Sequence, residues 1–253
     1  MTIINKNITF SAIAIALLLS ASNSQLSAQT GRQKQNNHNN EQSADNQSEH
    51  VKQKEQTANV SYKGSDRTDY IISEFSKKLS GLPAFEMGFS ININGQNQVG
   101  TVQGQKDSYR LDNKDMSLYC DGNNKWIHNP NNNEVVVMKN DLSQVDLIEN
   151  PMAFFTSLDK GYTYSQRAKS SNYNKIPVWV IDLMPINKRL GYSKISLLIS
   201  KRDNAPVRIV YVMKSGESHA VNITKFVEQK PWGQEHFKFD VGKHKGIRVN
   251  DMR

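Results

Sequence analysis

Proton transfer, nucleophilic attack and metal binding each need a few reactive side chains held together, and this sequence supplies few. Beyond position 65 the histidines are His128, His219, His236 and His244. They are scattered among segments patterned as strands and turns, and no Gly-x-Ser-x-Gly run presents a nucleophile on a strand-to-helix elbow. Asp182 and His128 are the acid–base candidates for an interior pair, yet each reads more naturally as a surface or turn residue. Zinc would need three or four clustered ligands, which one cysteine and dispersed histidines do not provide. Cys120 by itself reads as a small buried hydrophobe. Gly95, Gly100 and Gly104 read as hairpin turns or bulges, with no helix after them to offer free amides to a phosphate. The expectation is a chain with no catalytic site, no metal and no cofactor.

The first residues set the expected compartment. Lys6 precedes an apolar run from Ile8 to Leu19, and small and polar residues follow it. That pattern fits a secretory signal peptide over residues 1–28, cleaved after Ala28 or Ser24. The run is shorter than the roughly 20 apolar residues of a comfortable span. Residues 29–65 are rich in Gln, Asn, Ser, Lys and Glu and are expected to be a disordered polar linker, unable to bury enough surface to offset chain entropy. His38 and His50 lie within it, too isolated to suggest a metal tract. Cys120 lies far from the cleavage site, so the chain is not expected to be acylated on a cysteine at its mature start, nor to hold an internal disulfide.

Residues 66–253 are long enough for one domain with a sizeable core. The chain carries a net charge of +8. Setting aside the six basic and four acidic residues before position 66 leaves the domain at +6. In an exported protein such a balance suits anionic membrane surfaces or acidic partners, and equally plain solubility; nucleic acid is in another compartment.

The patterning of this domain is mainly β. Asp66 could cap a helix whose Ile71, Phe75 and Leu79 share a face, with Gly81 and Pro83 ending it. From Phe85 to Asn94 every odd position is large and apolar and every even one small or polar, the signature of a strand with one wet face. Asn94-Gly95 suits a tight hairpin turn. Period-two runs continue through Tyr109 and Leu111; Met116, Leu118 and Cys120; Trp126 and His128; Val135 and Val137, separated by the turn formers 121–124 and 129–133. A second helix is expected at 150–158, with Asn150 as cap and Pro151 in its first turn; Met152, Phe155 and Leu158 share a face while Phe154 points elsewhere. Strands follow at Pro177–Met184, Ser193–Lys201, Pro206–Met213, His219–Phe226 and Phe237–Phe239. About ten strands against two short helices place the domain among the all-β or sheet-plus-lid architectures.

A one-sided apolar sheet of this size must cover that face, and short helices give limited cover. It can close into a filled barrel, form a sandwich, or stay partly open to an apolar guest; the pattern alone leaves these open. Phe85, Met87, Phe89 and Met116 would suit an adaptable cavity. Trp126, Trp179 and Trp232 read as core or rim packing before ligand stacking.

The segment Tyr119-Cys-Asp-Gly-Asn-Asn-Lys-Trp-Ile-His-Asn-Pro130 resembles the stretch of the periplasmic lipoprotein-carrier (LolA-like) family in which an Asp-Gly turn leads into a Trp-x-x-Asn-Pro strand end. The likeness continues in order through Asn133-Glu-Val-Val-Val-Met138, the helix opened by Asn150-Pro151, Val178-Trp-Val-Ile-Asp-Leu-Met-Pro185, Phe237-Lys-Phe239 and Ile247–Arg253. It is greatest toward members of Bacteroidetes type and covers nearly all of 66–253. The resemblance implies a fold that is mainly β with a helical lid, an unclosed antiparallel β-barrel of about ten or eleven strands covered by two or three short α-helices. It also implies a periplasmic monomer whose half-barrel takes the acyl chains of lipoproteins, receives them from an inner-membrane ABC transporter and hands them to an outer-membrane acceptor. The cavity would be lined by Phe85, Met87, Phe89, Ile91, Ile93, Met116, Leu118, Trp126, Phe155, Val178 and Val180, under a lid of Ile71, Phe75, Leu79, Met152 and Phe154. Family members latch the lid with the arginine of an Arg-Pro pair; Lys106-Asp107 stands at that place here, with Arg110 close by, so Lys106 and Arg110 are the candidate latch and a lysine would hold less firmly. A periplasmic sensor of lipids or lipoproteins on the same half-barrel is the alternative, and an enzyme acting on a guest in the cavity a more distant one.

Overall fold

The computed structural model describes residues 67–93, 96–143 and 150–253. The expected signal peptide and linker, Asp66, and the Asn94-Gly95 turn lie outside the described residues. Thirteen strands form one sheet among the described residues. In chain order they are β1 (Phe85–Ile93), β2 (Gln96–Gln105), β3 (Ser108–Asn113), β4 (Ser117–Cys120), β5 (Asn124–Asn129), β6 (Glu134–Lys139), β7 (Tyr162–Tyr164), β8 (Lys169–Tyr173), β9 (Ile176–Pro185), β10 (Tyr192–Ser200), β11 (Pro206–Met213), β12 (Ser218–Glu228) and β13 (Arg248–Asp251). Three helices accompany them: α1 (Thr68–Gly81), α2 (Pro151–Thr156) and α3 (Leu158–Gly161).

The strand order is β13-β6-β5-β4-β3-β2-β1-β12-β11-β10-β9-β7, with β8 also paired to β9. The sheet ends on β13 at one side and on β7 and β8 at the other, so it is unclosed, the form that the family resemblance implied and that the pattern alone left undecided. Its pairs are antiparallel apart from β13, which runs parallel to β6 from Arg248↔Glu134 to Asp251↔Val137. That pair departs from the expected meander: the chain returns from β12 along a connection of about twenty residues, long enough to lay its end on the free edge of β6 in either direction.

β1 sits at the centre because it is the most sharply two-faced strand. Phe85, Met87, Phe89 and Ile91 are all buried on one face. On that face the partners in β2 include Gly100 opposite Phe89 and Gly104 opposite Phe85. Both glycines therefore lie inside a strand and are not the turns or bulges expected of them. A Cβ on Gly100 would stand 2.5 Å from Phe89 Cζ, so the missing side chain leaves room for the neighbouring ring.

The helices close over this face. α1 buries Ile71, Ile72, Phe75 and Leu79. Its cap position is Arg67, which contributes no side-chain bond; the cap expected from Asp66 lies outside the described residues. The single helix expected at 150–158 is broken in two at Ser157. Asn150 caps α2 as expected, accepting from the Ala153 amide at 3.2 Å, and Pro151 occupies its first turn. Phe154, expected to point away from the helix's buried face, is fully buried, edge-on to Phe155 and Tyr162.

The segment after β12 straps the opposite, outer face. Its Trp232 is held by Gln105 in the manner of a strand neighbour: the Trp232 amide donates to Gln105 Oε1 at 2.7 Å and Gln105 Nε2 donates to the Trp232 carbonyl at 3.2 Å. Phe237 ends a 3-10 turn (Gln234–Phe237) and is fully buried. The strand expected at Phe237–Phe239 is thus replaced by a turn and an unpaired extended stretch.

Candidate functional site: the covered inner face

The inner face is built from strands and lid together. Phe85, Met87, Phe89, Ile91, Met116, Leu118 and Phe155 belong to one buried apolar cluster, and so do Ile71, Phe75, Leu79, Met152 and Phe154 of the lid. Expected wall and expected roof thus meet directly. The Phe75 and Phe155 rings stand edge to face with centroids 6.1 Å apart, and Ser76 Oγ donates to the Phe155 carbonyl at 3.2 Å. Side chains of the sheet and of the helices pack on one another in this cluster.

Three of the expected wall residues are placed otherwise. Trp126 is paired with Tyr119, while Ile127 opposite Leu118 packs on the inner cluster. Because facing residues share a side of the sheet, Trp126 stands on the outer face. Val180 shares the face of Asp182, whereas Trp179, Ile181 and Leu183 turn inward. Val178 is fully buried but outside the inner cluster. The side chain of Ile93 lies outside the described residues. The shift in β9 has a plain cause: both of its faces are apolar, so alternation could not choose between them, and a slip of one residue exchanges every side chain. Asp182 was the usable signal, since it marks the wet side. The far half of the wall, Ile195, Leu197, Ile199, Ile209 and Tyr211, falls on the apolar positions of strands that were expected, though these residues were not among the expected cavity lining.

One inner position is polar where the pattern suggested otherwise. Lys125, directly opposite Cys120, is only 5% exposed. Burial pushes the Cys120 thiol up to about 11, so it is a neutral, apolar part of the wall, in keeping with its expected role.

Neither latch candidate reaches the lid. Lys106 is exposed in the two-residue β2–β3 turn, in the left-handed region at φ 52°. Arg110 lies across from Tyr119 on the outer face, over the Tyr119 ring, and donates through Nε to Asp112 at 2.7 Å. What ties α1 to the sheet is Lys78: it donates through Nζ to the Asp203 carbonyl in the β10–β11 turn and lies 5.8 Å above the Phe226 ring. At the other end of the helix the Thr68 amide donates to the Gln166 carbonyl at 2.9 Å. Below, Tyr162 and Tyr192 share a buried hydroxyl–hydroxyl bond of 2.8 Å. No sequence signal separated Lys78 from its neighbour Lys77, because the clasp depends on a turn 125 residues away.

Asp182 and His128 are not brought together: β9 and β5 lie in opposite halves of the sheet. Asp182 accepts from Ser196 Oγ at 2.6 Å and from Lys169 Nζ at 3.2 Å. Burial works to raise its carboxyl, yet these partners hold it below the ordinary value. His128 meets His244, with ring centroids 4.7 Å apart, and Phe239 stacks on His244. The two histidines are therefore neighbours on the outer face, which their sequence separation did not suggest. Among the described residues, no group of three or more His, Cys, Asp or Glu side chains could hold a metal. No described helix is long and apolar enough to cross a membrane.

No family model matches the sequence, and no curated protein does. Solved structures do. A conserved protein from Thermus thermophilus, itself described as uncharacterized, superposes with a TM-score of 0.52 at 12% identity over 72% of this chain and 98% of its own. The chain is also similar to an outer membrane lipoprotein-sorting protein domain from Vibrio parahaemolyticus (TM-score 0.40, 12% identity, 66% of this chain and 94% of that one). The likeness to the Thermus protein is one of fold; alongside it, this chain's solved structural neighbours include a LolA superfamily protein from Nitrosomonas europaea, at a TM-score of 0.39 and 10% identity over 69% of this chain and 98% of that one.

Proposed function

We propose that this chain is an exported periplasmic carrier whose half-barrel shelters the acyl chains of lipoproteins between the inner and outer membranes, passing them from an inner-membrane ABC transporter to an outer-membrane acceptor. The observation that carries the reading is how the apolar face is covered. An unclosed sheet is roofed by three short helices joined to it mainly through side-chain packing, with a few polar ties such as Lys78 to Asp203. Short helices depend on such packing for their stability, so a competing apolar guest can exchange with them. Each methylene of an acyl chain removed from water contributes about 0.8 kcal/mol, against which lid contacts of similar kind are lost. The order of motifs quoted above supplies the lipoprotein class.

The test is to purify the protein from its own periplasm and identify bound species by mass spectrometry, while depleting it in the same organism. Acylated lipoprotein in the purified sample, with outer-membrane lipoproteins retained at the inner membrane on depletion, supports the carrier. Empty protein with correctly placed lipoproteins overturns it. A sensor of lipids or lipoproteins would bind the same guests but leave their sorting intact on depletion.

A further inference from the structure

We propose that the end of the sheet formed by the β9–β10 and β11–β12 turns together with α3 is a docking surface for an anionic lipid bilayer. Four cations converge there. Lys160 ends α3 beside Gly161, whose carbonyl accepts from the Ile186 amide at 3.0 Å. Lys188 and Arg189 follow in the β9–β10 turn, and Lys214 reaches across from the β11–β12 turn. The rim is fixed in shape: Lys188 Nζ donates to the Pro185 carbonyl at 2.9 Å, Lys214 Nζ donates to the Lys188 carbonyl, and the Lys214 amide donates to the Gly191 carbonyl at 3.0 Å. These bonds go to neutral carbonyls. Among the described residues none of the four cations has a carboxylate within ion-pair distance, so no described carboxylate neutralises their charge.

Ile186 shares the β9–β10 turn with Lys188 and Arg189, its amide is bonded to the carbonyl next to Lys160, and it is 53% exposed although Leu190 in the same turn is buried. An exposed apolar side chain on a hydrogen-bonded turn that also carries cations matches a surface with anionic headgroups over hydrocarbon. Among the described residues Asp159 on α3 and Glu217 beside the β11–β12 turn lie at this end, and Glu217 faces His219 at 3.7 Å; against these two the four cations are in excess. The proposal does not depend on the cargo reading, since the rim is available on the empty protein.

The experiment is co-sedimentation of the purified, cargo-free protein with vesicles of phosphatidylcholine, with and without phosphatidylglycerol. Binding is expected to the anionic vesicles alone and to weaken as salt is raised. The pair Lys188→Gln and Arg189→Gln should lower partitioning about 30-fold at physiological ionic strength. Arg202→Gln with Lys230→Gln removes the same charge at the opposite end of the sheet and should leave binding near the unsubstituted level. Ile186→Trp should give an indole emission that shifts to the blue on anionic vesicles only. Equal losses from the two double variants, a wild-type protein that ignores anionic vesicles, as one docking an acidic protein there would, or an indole emission from the Ile186→Trp variant that does not move overturns the proposal.

Discussion

The ring of Phe85 lies on the backbone of Gly104: a Cβ added there would stand 2.6 Å from Phe85 Cζ and 2.7 Å from Met152 Sδ. Strand β1, strand β2 and the lid helix α2 therefore converge on one point without slack. Gly104→Ala should lower stability by about 1–3 kcal/mol through overpacking, read as a lower urea midpoint. Adding Phe85→Leu should recover part of the loss. An alanine accepted without cost would mean that the inner face already contains free space, which would in turn make room for a guest without lid movement.

Lys78 is the lid's clasp. Lys78→Met keeps the stem over Phe226 and removes the bond to the Asp203 carbonyl. Because the bond is solvent-exposed, its global contribution should be under about 1 kcal/mol. The effect should instead be local: amide exchange in residues 71–81 should quicken while strands β9 to β11 stay protected. Unchanged exchange in the helix would show that packing alone keeps it down.

Much of this architecture was legible before any coordinates, and the reasons are local. In β1 polar and apolar residues alternate without exception, so its buried face and its approximate length followed, while its place in the strand order did not. Asn150-Pro151 announced α2 through cap chemistry that needs nothing from the rest of the chain. What failed was whatever depended on a partner. β9 is apolar on both sides, so Trp179, Ile181 and Leu183 were passed over for Val178 and Val180. Gly100 and Gly104 were taken for turns because the rings that require them belong to another strand. Trp126 was expected in the cavity lining, and the pairing of β4 with β5 turns it outward and sets Lys125 opposite the buried Cys120. The latch was sought where the resemblance put it, whereas the clasp observed lies on the helix itself.

The strap on the outer face should be sensitive to pH. His128 is held below its ordinary value first by burial and then by His244 beside it, and His236 by burial and then Arg110. Lys238 near Asp121 and Arg248 on Glu134 are the charged pairs that flank this contact. With folded values below the unfolded one, the unfolded chain binds more protons through this window. Stability is then fully present above the unfolded value near 6.5 and is lost as pH falls toward and through the folded values. Amide exchange across 237–251 should accelerate between about pH 7 and pH 5, and His128→Phe should flatten that dependence. A strap whose protection is the same at both ends of the window would contradict this account.

Cys120 offers a measure of how often the inner face opens. The thiol is fully buried in the wall and raised from 9.0 to about 11. At pH 8 the thiolate fraction alone should slow alkylation about a hundredfold relative to a thiol at the starting value, and burial slows it further. Labelling must then proceed through openings of the helices over the inner cluster that holds Cys120 and Leu118. If the lid yields to guests, Lys78→Met should raise the labelling rate in native buffer, and an acylated peptide filling the opened space should lower it again. Labelling that follows global unfolding alone, unaffected by either change, would mean that helices and sheet open only together, and an acyl chain would then have no path to the inner face in the folded protein.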